Sequence, residues 1–333
     1  MAIVILLIMS GFRSINVGYD NEDHERFFHK IASGSVSVHD FKEPGYSLLS
    51  LVVSYFGNYS LFLIVYSAIS ILILIITIRY FSVNPYVSLY MYYAFYFLGN
   101  NMGKIRQSLA VLFLLLALKY LNKNEKKIFV IIVIIGATFH ASALFFLVFL
   151  FLNKINLSKK VMYFCIVLAV IIGQLGIVEY IYYNLIGKSQ FISSIDFLDL
   201  KRLSLYSDSE YTVRQGGGYL GFLYILINSV LVVWFFDKFK QFKDKKALII
   251  AKTYYWGTIF FFLFFNLALI NSRLTMGFLM TQIFLVPYLF KFINNKYIKF
   301  LFAAIILIVV TLRGYINFVD NYDLFVPFEF FWE

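Results

Sequence analysis

The chain has 333 residues, of which 61% are hydrophobic and 14% charged, with 29 lysines and arginines against 18 acids. A soluble domain carries roughly 45–50% apolar and about 25% charged residues, so this much apolar surface needs lipid rather than water around it. The net charge of +11 and the single cysteine exclude more than they suggest. No soluble basic domain is available for nucleic acid, since membrane proteins gather lysine in their cytoplasmic loops, and Cys165, inside an apolar run, can form neither an intrachain disulfide nor a cysteine zinc cluster.

Taken in chain order, residues 1–10 are apolar, but ten helical residues reach only about 15 Å, half a bilayer. No positive n-region or clear cleavage site marks a signal peptide. The pattern predicts either a first helix whose beginning is missing from this start or a short, tilted one. Residues 11–45 form an acidic loop with Asp20, Glu22, Asp23, Glu25 and Glu43. The segment 46–57 follows Pro44-Gly45 and is too short to cross, so it lies in the interface or re-enters. Apolar runs then predict spans at 58–78, 84–99, 105–121, 161–178, 219–236, 247–270, 274–290 and 297–312. The run 128–152 is interrupted by Thr138-Phe139-His140. The expected fold is all-α and polytopic, with about ten spans plus short broken or interfacial helices, in one integral membrane domain over 1–333.

Lysine sets the orientation of such chains. Lys123, Lys126 and Lys127 form one basic loop, and Lys154, Lys159 and Lys160 the next. Lys238, Lys240, Lys243, Lys245 and Lys246 form a third, and Lys291, Lys296 and Lys299 a fourth. Reading 128–152 as two shorter helices that turn at His140 puts all four loops inside. The loops 11–45 and 179–218 and the tail 313–333 then face outward. Of the arginines, only Arg79 falls inside; Arg13, Arg26, Arg106, Arg202, Arg214, Arg273 and Arg313 fall on the outer side or at its edge. Outward arginines oppose the usual bias. The planar guanidinium fork suits phosphate in a way that an ammonium does not, although interfacial or salt-bridged arginines would look the same.

Five constellations could carry chemistry. The run Asp20-Asn21-Glu22-Asp23-His24-Glu25 is dense in hard oxygen ligands, so Asp20, Glu22 and Asp23 could hold a divalent metal, yet the spacing fits no strict motif. A helix start favouring acids explains it equally, and no metal or other cofactor is assigned. Glu43-Pro44-Gly45-Tyr46 forces a turn into an interfacial helix, with Glu43 either a general base or a helix cap. Gly103-Lys104-Ile105-Arg106-Gln107-Ser108 opens a helix, where free N–H groups and positive charge suit a phosphate. Thr138-Phe139-His140-Ala141-Ser142 puts an imidazole in the break between two apolar runs, where it could take a hydroxyl proton or bind phosphate. Asn271-Ser272-Arg273 lies between two predicted spans, as a tight turn with a snorkelling arginine or as a second phosphate contact. The glycines at 216–218 lack the lysine and hydroxyl of a phosphate-binding loop.

Together these landmarks resemble the EpsG family of Wzy-type polysaccharide polymerases. The matching stretches are Val17-Gly18-Tyr19-Asp20, Glu43-Pro44-Gly45-Tyr46, Lys104-Ile105-Arg106-Gln107-Ser108-Leu109-Ala110, Phe139-His140-Ala141-Ser142 and Asn271-Ser272-Arg273-Leu274. The chain departs from the pattern in having His24 where an aromatic follows the first aspartate, and in its short first helix. The resemblance implies an enzyme that joins undecaprenyl-pyrophosphate-linked oligosaccharides into capsule, exopolysaccharide or O-antigen at the outer face of a bacterial cytoplasmic membrane. Its partners would be that lipid-linked substrate, the bilayer and a chain-length regulator or other assembly proteins. It further implies Arg106 and Arg273, with Lys104 and Gln107, on the pyrophosphate, and His140, Glu43 and Asp20 as the groups that position or activate the acceptor. Three rivals stand beside it. A glycosyltransferase using a polyprenyl-phosphate sugar would also place acids in its first outer loop. A lipid-linked oligosaccharide transporter would need polar groups along a path to the inner face, which are nearly absent. A passive subunit would tolerate loss of each outward arginine.

Overall fold

The computed structural model describes residues 1–35, 43–182, 184, 218–242 and 245–332. Arg202, Arg214, Gly216, Gly217, Lys243 and Glu333, and with them most of the expected loop 179–218, lie outside the described residues. Helices α1 (Ala2–Gly11), α2 (Asn21–Ala32) and α3 (Pro44–Ser54) precede the long apolar α4 (Tyr59–Phe81). α5 (Pro85–Tyr92) runs directly into a π-helix (Tyr93–Asn101), followed by α6 (Ile105–Asn122) and α7 (Lys126–Phe139). A 3₁₀ helix (Ala141–Val148) and α8 (Phe149–Leu152) lead to α9 (Lys159–Gln174) and α10 (Ile177–Ile181). Then come α11 (Gly218–Trp234), α12 (Phe236–Gln241), α13 (Lys245–Leu263) and α14 (Ala268–Leu279). α15 (Gln282–Phe292), α16 (Lys296–Val319) and α17 (Tyr322–Phe325) complete the described helices. Among the described residues there is no strand, only an isolated bridge between Arg13 and Phe330.

Local chemistry sets many of these starts. Asn58, Asn84, Ser158 and Asn295 each accept from amides of the turn that follows, satisfying donors a helix leaves open. Pro85 and Pro44 open α5 and α3, where a missing N–H costs nothing. Three described helices, α4, α6 and α16, are long and apolar enough to cross a bilayer unbroken. α14 and α15 together pass as a fourth, bent by 47° at their junction. The about ten crossings expected from the apolar runs are thus not all formed as continuous helices.

Several boundaries differ from the sequence reading. The break expected at Asn271-Ser272-Arg273 falls at 264–267 instead, and the three residues lie within α14. The reason is visible: Asn271 Nδ2 donates to Phe261 O at 3.1 Å, so the polar run closes the preceding helix end from inside the next helix. Apart from Gln282, hydropathy alone gives no sign of the second break, after Leu279. The tail expected from residue 313 starts later, because α16 continues to Val319. By contrast, 128–152 is interrupted where expected: α7 ends at Phe139 and the 3₁₀ helix begins at Ala141, with His140 between them.

The chain packs as two compact units. The first comprises residues 1–119, 127–140 and 286–333. It has two chemically distinct ends. At one, Tyr59 Oη donates to Asn21 Oδ1 at 3.2 Å and Tyr66 Oη to Asn101 Oδ1 at 3.1 Å. At the other, the Lys119 ammonium sits over the Tyr80 ring at 5.6 Å. α4 and α6 therefore run in the same direction, and α5 with the π-helix brings the chain back between them. α7 starts in the lysine loop and delivers Thr138 against Gly45 at the first end. The tail joins this end too, with Ser14 N–H donating to Glu329 O at 2.9 Å and Gly18 N–H to Leu324 O at 2.8 Å.

The second unit comprises residues 120–126 and 141–285. Its helices approach closely at glycines, as membrane helices do: a Cβ on Gly173 would come 1.9 Å from Phe262 O, and one on Gly257 2.5 Å from the Phe278 Cβ. Phe145, Phe146, Phe149 and Phe260 all meet the Phe278 ring. Two of its basic loops lie at a single end. Lys159 pairs with Asp237 at 2.7 Å and reaches Trp234 O at 2.9 Å, and Lys252 holds Asn153 O at 2.6 Å and Asn156 Oδ1 at 3.0 Å.

Candidate functional site

The site is built at the arginine-bearing end of the first unit, beginning with two glycines. The π pattern persists past Asn101, with Met102 N–H donating to Phe97 O at 3.0 Å. π-helical turns of this kind are rare and recur at functional sites. Gly18, at φ +108°, lies against the resulting turn, where a Cβ would fall 2.4 Å from Met102 O. A Cβ on Gly103 would fall 2.7 Å from the Tyr19 ring. The stretch Gly18-Tyr19-Asp20 is thereby seated on the turn that opens α6, which carries Lys104 and Arg106.

Glu43 meets Arg106 from the other side, with Glu43 Oε2 and Arg106 Nη1 2.6 Å apart. The Arg106 guanidinium also lies over the Tyr46 ring at 5.6 Å. The Glu43 carboxylate does not cap α3, the alternative that the sequence left open; the Glu43 carbonyl accepts from Ser47 N–H, and the side chain turns to Arg106. The carboxylate is largely covered, while Arg106 keeps 46% of its side-chain surface exposed. Part of its fork therefore remains open to a second anion. A Cβ on Gly45 would fall 2.1 Å from Thr138 Oγ1, so only glycine lets α3 enter this closely beside the segment that ends at His140.

Beneath this pair lies a polar layer whose members the sequence did not bring together. Tyr46 Oη is 3.2 Å from His24 Nδ1, and both side chains are buried. Burial raises the Tyr46 hydroxyl well above its ordinary pKa, so it keeps its proton and donates. His24 is pulled down to about 3, by burial first and then by the charges of Arg106 and Arg13. It is neutral at physiological pH and accepts on Nδ1. Arg13 is fully buried, its pKa lowered by desolvation. It donates to Ser10 O and, at 3.3 Å, to Asn21 Oδ1. Asn21 Oδ1 takes the Tyr59 hydroxyl as well, and its amide bonds Val17 O. A signal for this layer was available: Asn21, His24, Phe28 and Ile31 recur at helical spacing and form the buried face of α2.

The other sequence candidates take varied places. Asp20, in a left-handed conformation with φ 54°, starts α2 without a side-chain cap and is exposed. Lys104 is exposed and Gln107 is buried. His140 is part-buried in the break after α7. Arg273 is part-buried on α14 and belongs to the second unit. Asp23 pairs with Arg26, and among the described residues no three His, Cys, Asp or Glu side chains group closely enough to hold a metal ion.

The family model described as the EpsG family matches residues 1–330. The chain belongs to the EpsG family. No curated protein and no solved structure matches it. Three of the five stretches that carry the likeness to EpsG proteins come together in the first unit, Gly18-Tyr19-Asp20 on Met102-Gly103 and Glu43 with Arg106, while Gly45 lies against Thr138, just before Phe139-His140 of the fourth. The fifth, with Arg273, supplies the Asn271 bond that ends α13. Membership of the EpsG family, whose members are Wzy-type polysaccharide polymerase-like proteins, together with the apolar helices, makes this a membrane protein with a polysaccharide polymerase-like role.

Proposed function

We propose that this EpsG-family chain polymerises surface polysaccharide by joining undecaprenyl-pyrophosphate-linked repeat units at the outer face of a bacterial cytoplasmic membrane. Residues 1–333 would insert as one integral membrane domain with about ten crossings, several of them made by short or broken helices. The lysine-rich ends face inward by the usual bias, which turns the Arg106 end outward, where lipid-linked repeat units are presented. A chain-length regulator or other assembly protein would act beside it.

The observation that carries this reading is the exposed, carboxylate-oriented guanidinium of Arg106 at the opening of α6. In the proposed reaction a hydroxyl of one lipid-linked unit attacks the anomeric carbon of the growing glycan. The bond from that carbon to the pyrophosphate oxygen breaks, and the hydroxyl proton passes to a base. Charge accumulates on the departing pyrophosphate, and a preoriented cation there lowers the barrier. Arg106 is assigned to that charge, with Lys104 and the α6 N-terminus in support. Glu43 orients Arg106, and its charge is then committed to that pairing. We assign the base to His140, whose segment is seated beside Gly45, and give Asp20 an acceptor-positioning role. Arg273 is assigned to a second phosphate contact.

The test is the glycan profile of a strain lacking this chain, complemented with the wild type or with Arg106→Ala. Single lipid-linked repeat units without long chains, in both the deletion and the variant, support the proposal. Absence of any complete repeat unit would replace it with an earlier glycosyltransferase step, and full polymer from Arg106→Ala would remove Arg106 from the site.

A further inference from the structure

At the lysine end of the first unit, far along α4 from Arg106, α5, α15 and α16 enclose an open groove of about 610 Å³. Its three walls share one polarity. On α5 the lining runs from Asn84 to Val87 and Met91, on α15 from Lys291 back to Pro287, and on α16 from Lys299 to Ile306 and Leu307. Both lysines and the asparagine lie at the same rim, and everything deeper is apolar apart from Tyr90. From Lys299 to Leu307 the apolar wall is about 12 Å long.

The opening has a structural cause. In its second half α16 closes on the π-helix, where a Cβ on Gly314 would sit 3.4 Å from the Ala94 Cβ and Asn317 Nδ2 donates to Ala94 O at 2.9 Å. The Tyr90 and Thr311 hydroxyls bond at 2.7 Å and close the deep end. Towards its lysine end α16 meets α15 through bulky rings, Phe302 and Phe290 at 4.9 Å, and along its whole length it buries only Val310. What fills this space must be apolar along one end and anionic at the other.

We infer that the groove binds one anionic phospholipid, with its phosphate between Lys291 and Lys299 and an acyl chain against Ala303, Ile306, Val87 and Met91. The lipid comes from the leaflet that the lysine end faces, so this site is separate from the polymerisation site and does not depend on that assignment. By holding α16 to α5 and α15, it stabilises the largely exposed lysine-end half of α16, which otherwise meets α15 through the Phe302 and Phe290 rings.

Purified full-length protein in mild detergent, examined by native mass spectrometry with added phosphatidylglycerol or phosphatidylcholine, tests this. Wild type retains phosphatidylglycerol in preference to phosphatidylcholine. A juxtamembrane lysine contributes about a factor of five in lipid affinity, so Lys291→Gln with Lys299→Gln weakens retention roughly 30-fold. Ala303→Trp, which fills the groove and keeps both lysines, also loses the lipid. Equal retention of the two lipids, or retention unchanged by either variant, overturns the inference. So does displacement of phosphatidylglycerol by an equimolar amount of undecaprenyl phosphate, which would make the groove a carrier site instead.

Discussion

Replacing Arg106 with alanine separates a catalytic cation from a structural one. Its side chain is 46% exposed, and its visible bonds are the Glu43 pair at 2.6 Å and the Tyr46 face at 5.6 Å. Half-exposed ion pairs contribute about 0–1 kcal/mol, and an exposed cation–π contact adds roughly 0.5–1 kcal/mol. The variant also leaves the largely covered Glu43 carboxylate without this partner, which adds about 1–3 kcal/mol, so its stability falls by roughly 2–5 kcal/mol and its rate is read per folded molecule. A preoriented charge on a leaving group is worth roughly 100- to 1000-fold in rate, a loss that persists in the molecules that remain folded. Arg106→Lys keeps the charge and loses the fork, so its rate falls between the two. The assay pairs thermal unfolding of the purified variants with their rate of chain extension in membranes supplied with lipid-linked repeat units. A rate that falls only as far as the amount of folded protein falls would refute the catalytic reading.

Other consequences concern the scaffold. Gly45→Ala forces a Cβ to within 2.1 Å of Thr138 Oγ1; overpacking of this kind costs about 1–3 kcal/mol, and both unfolding temperature and polymer yield should fall. His24 titrates near 3 in the folded protein and near 6.5 unfolded. Its contribution is therefore complete above pH 6.5 and declines as pH falls towards 3, by about 1.4 kcal/mol per unit. Unfolding midpoints across that window should show the slope, and His24→Gln should flatten it. Asn271→Ala removes the bond to Phe261 O and leaves a buried carbonyl unpaired, costing about 1–3 kcal/mol, which denaturation of the purified variant would register.

How much of this was legible in the sequence follows from which physics acts locally. Apolar runs found α4 and α6 closely and α16 at its start, because lipid demands long continuous hydrophobic segments. The lysine count led to the interruption at His140, and α7 does carry the chain from the basic loop to the Glu43 end. Arg106 and Glu43 were both singled out, but not as partners: they are 63 residues apart, and they pair only once the starts of α3 and α6 are folded to the same end. His24 was read as a departure from the family pattern, whereas α2 folds it inward beneath Tyr46. Arg13 was counted merely as outward, and its burial depends on the tail returning through Ser14 and Glu329. The misplaced break at 271–273 shows the limit most plainly. A polar triplet in an apolar run looks like a turn, yet here Asn271 serves the carbonyl of a neighbouring helix.

Reconstitution decides whether the chain by itself joins lipid-linked repeat units. Purified protein in liposomes would receive a defined undecaprenyl-pyrophosphate-linked oligosaccharide and no other enzyme. The expected result is a ladder of longer glycans, one free lipid pyrophosphate released per linkage formed, and neither product with Arg106→Ala. Unchanged repeat units with the wild-type protein, or transfer of single sugars from a polyprenyl-phosphate donor, would contradict it.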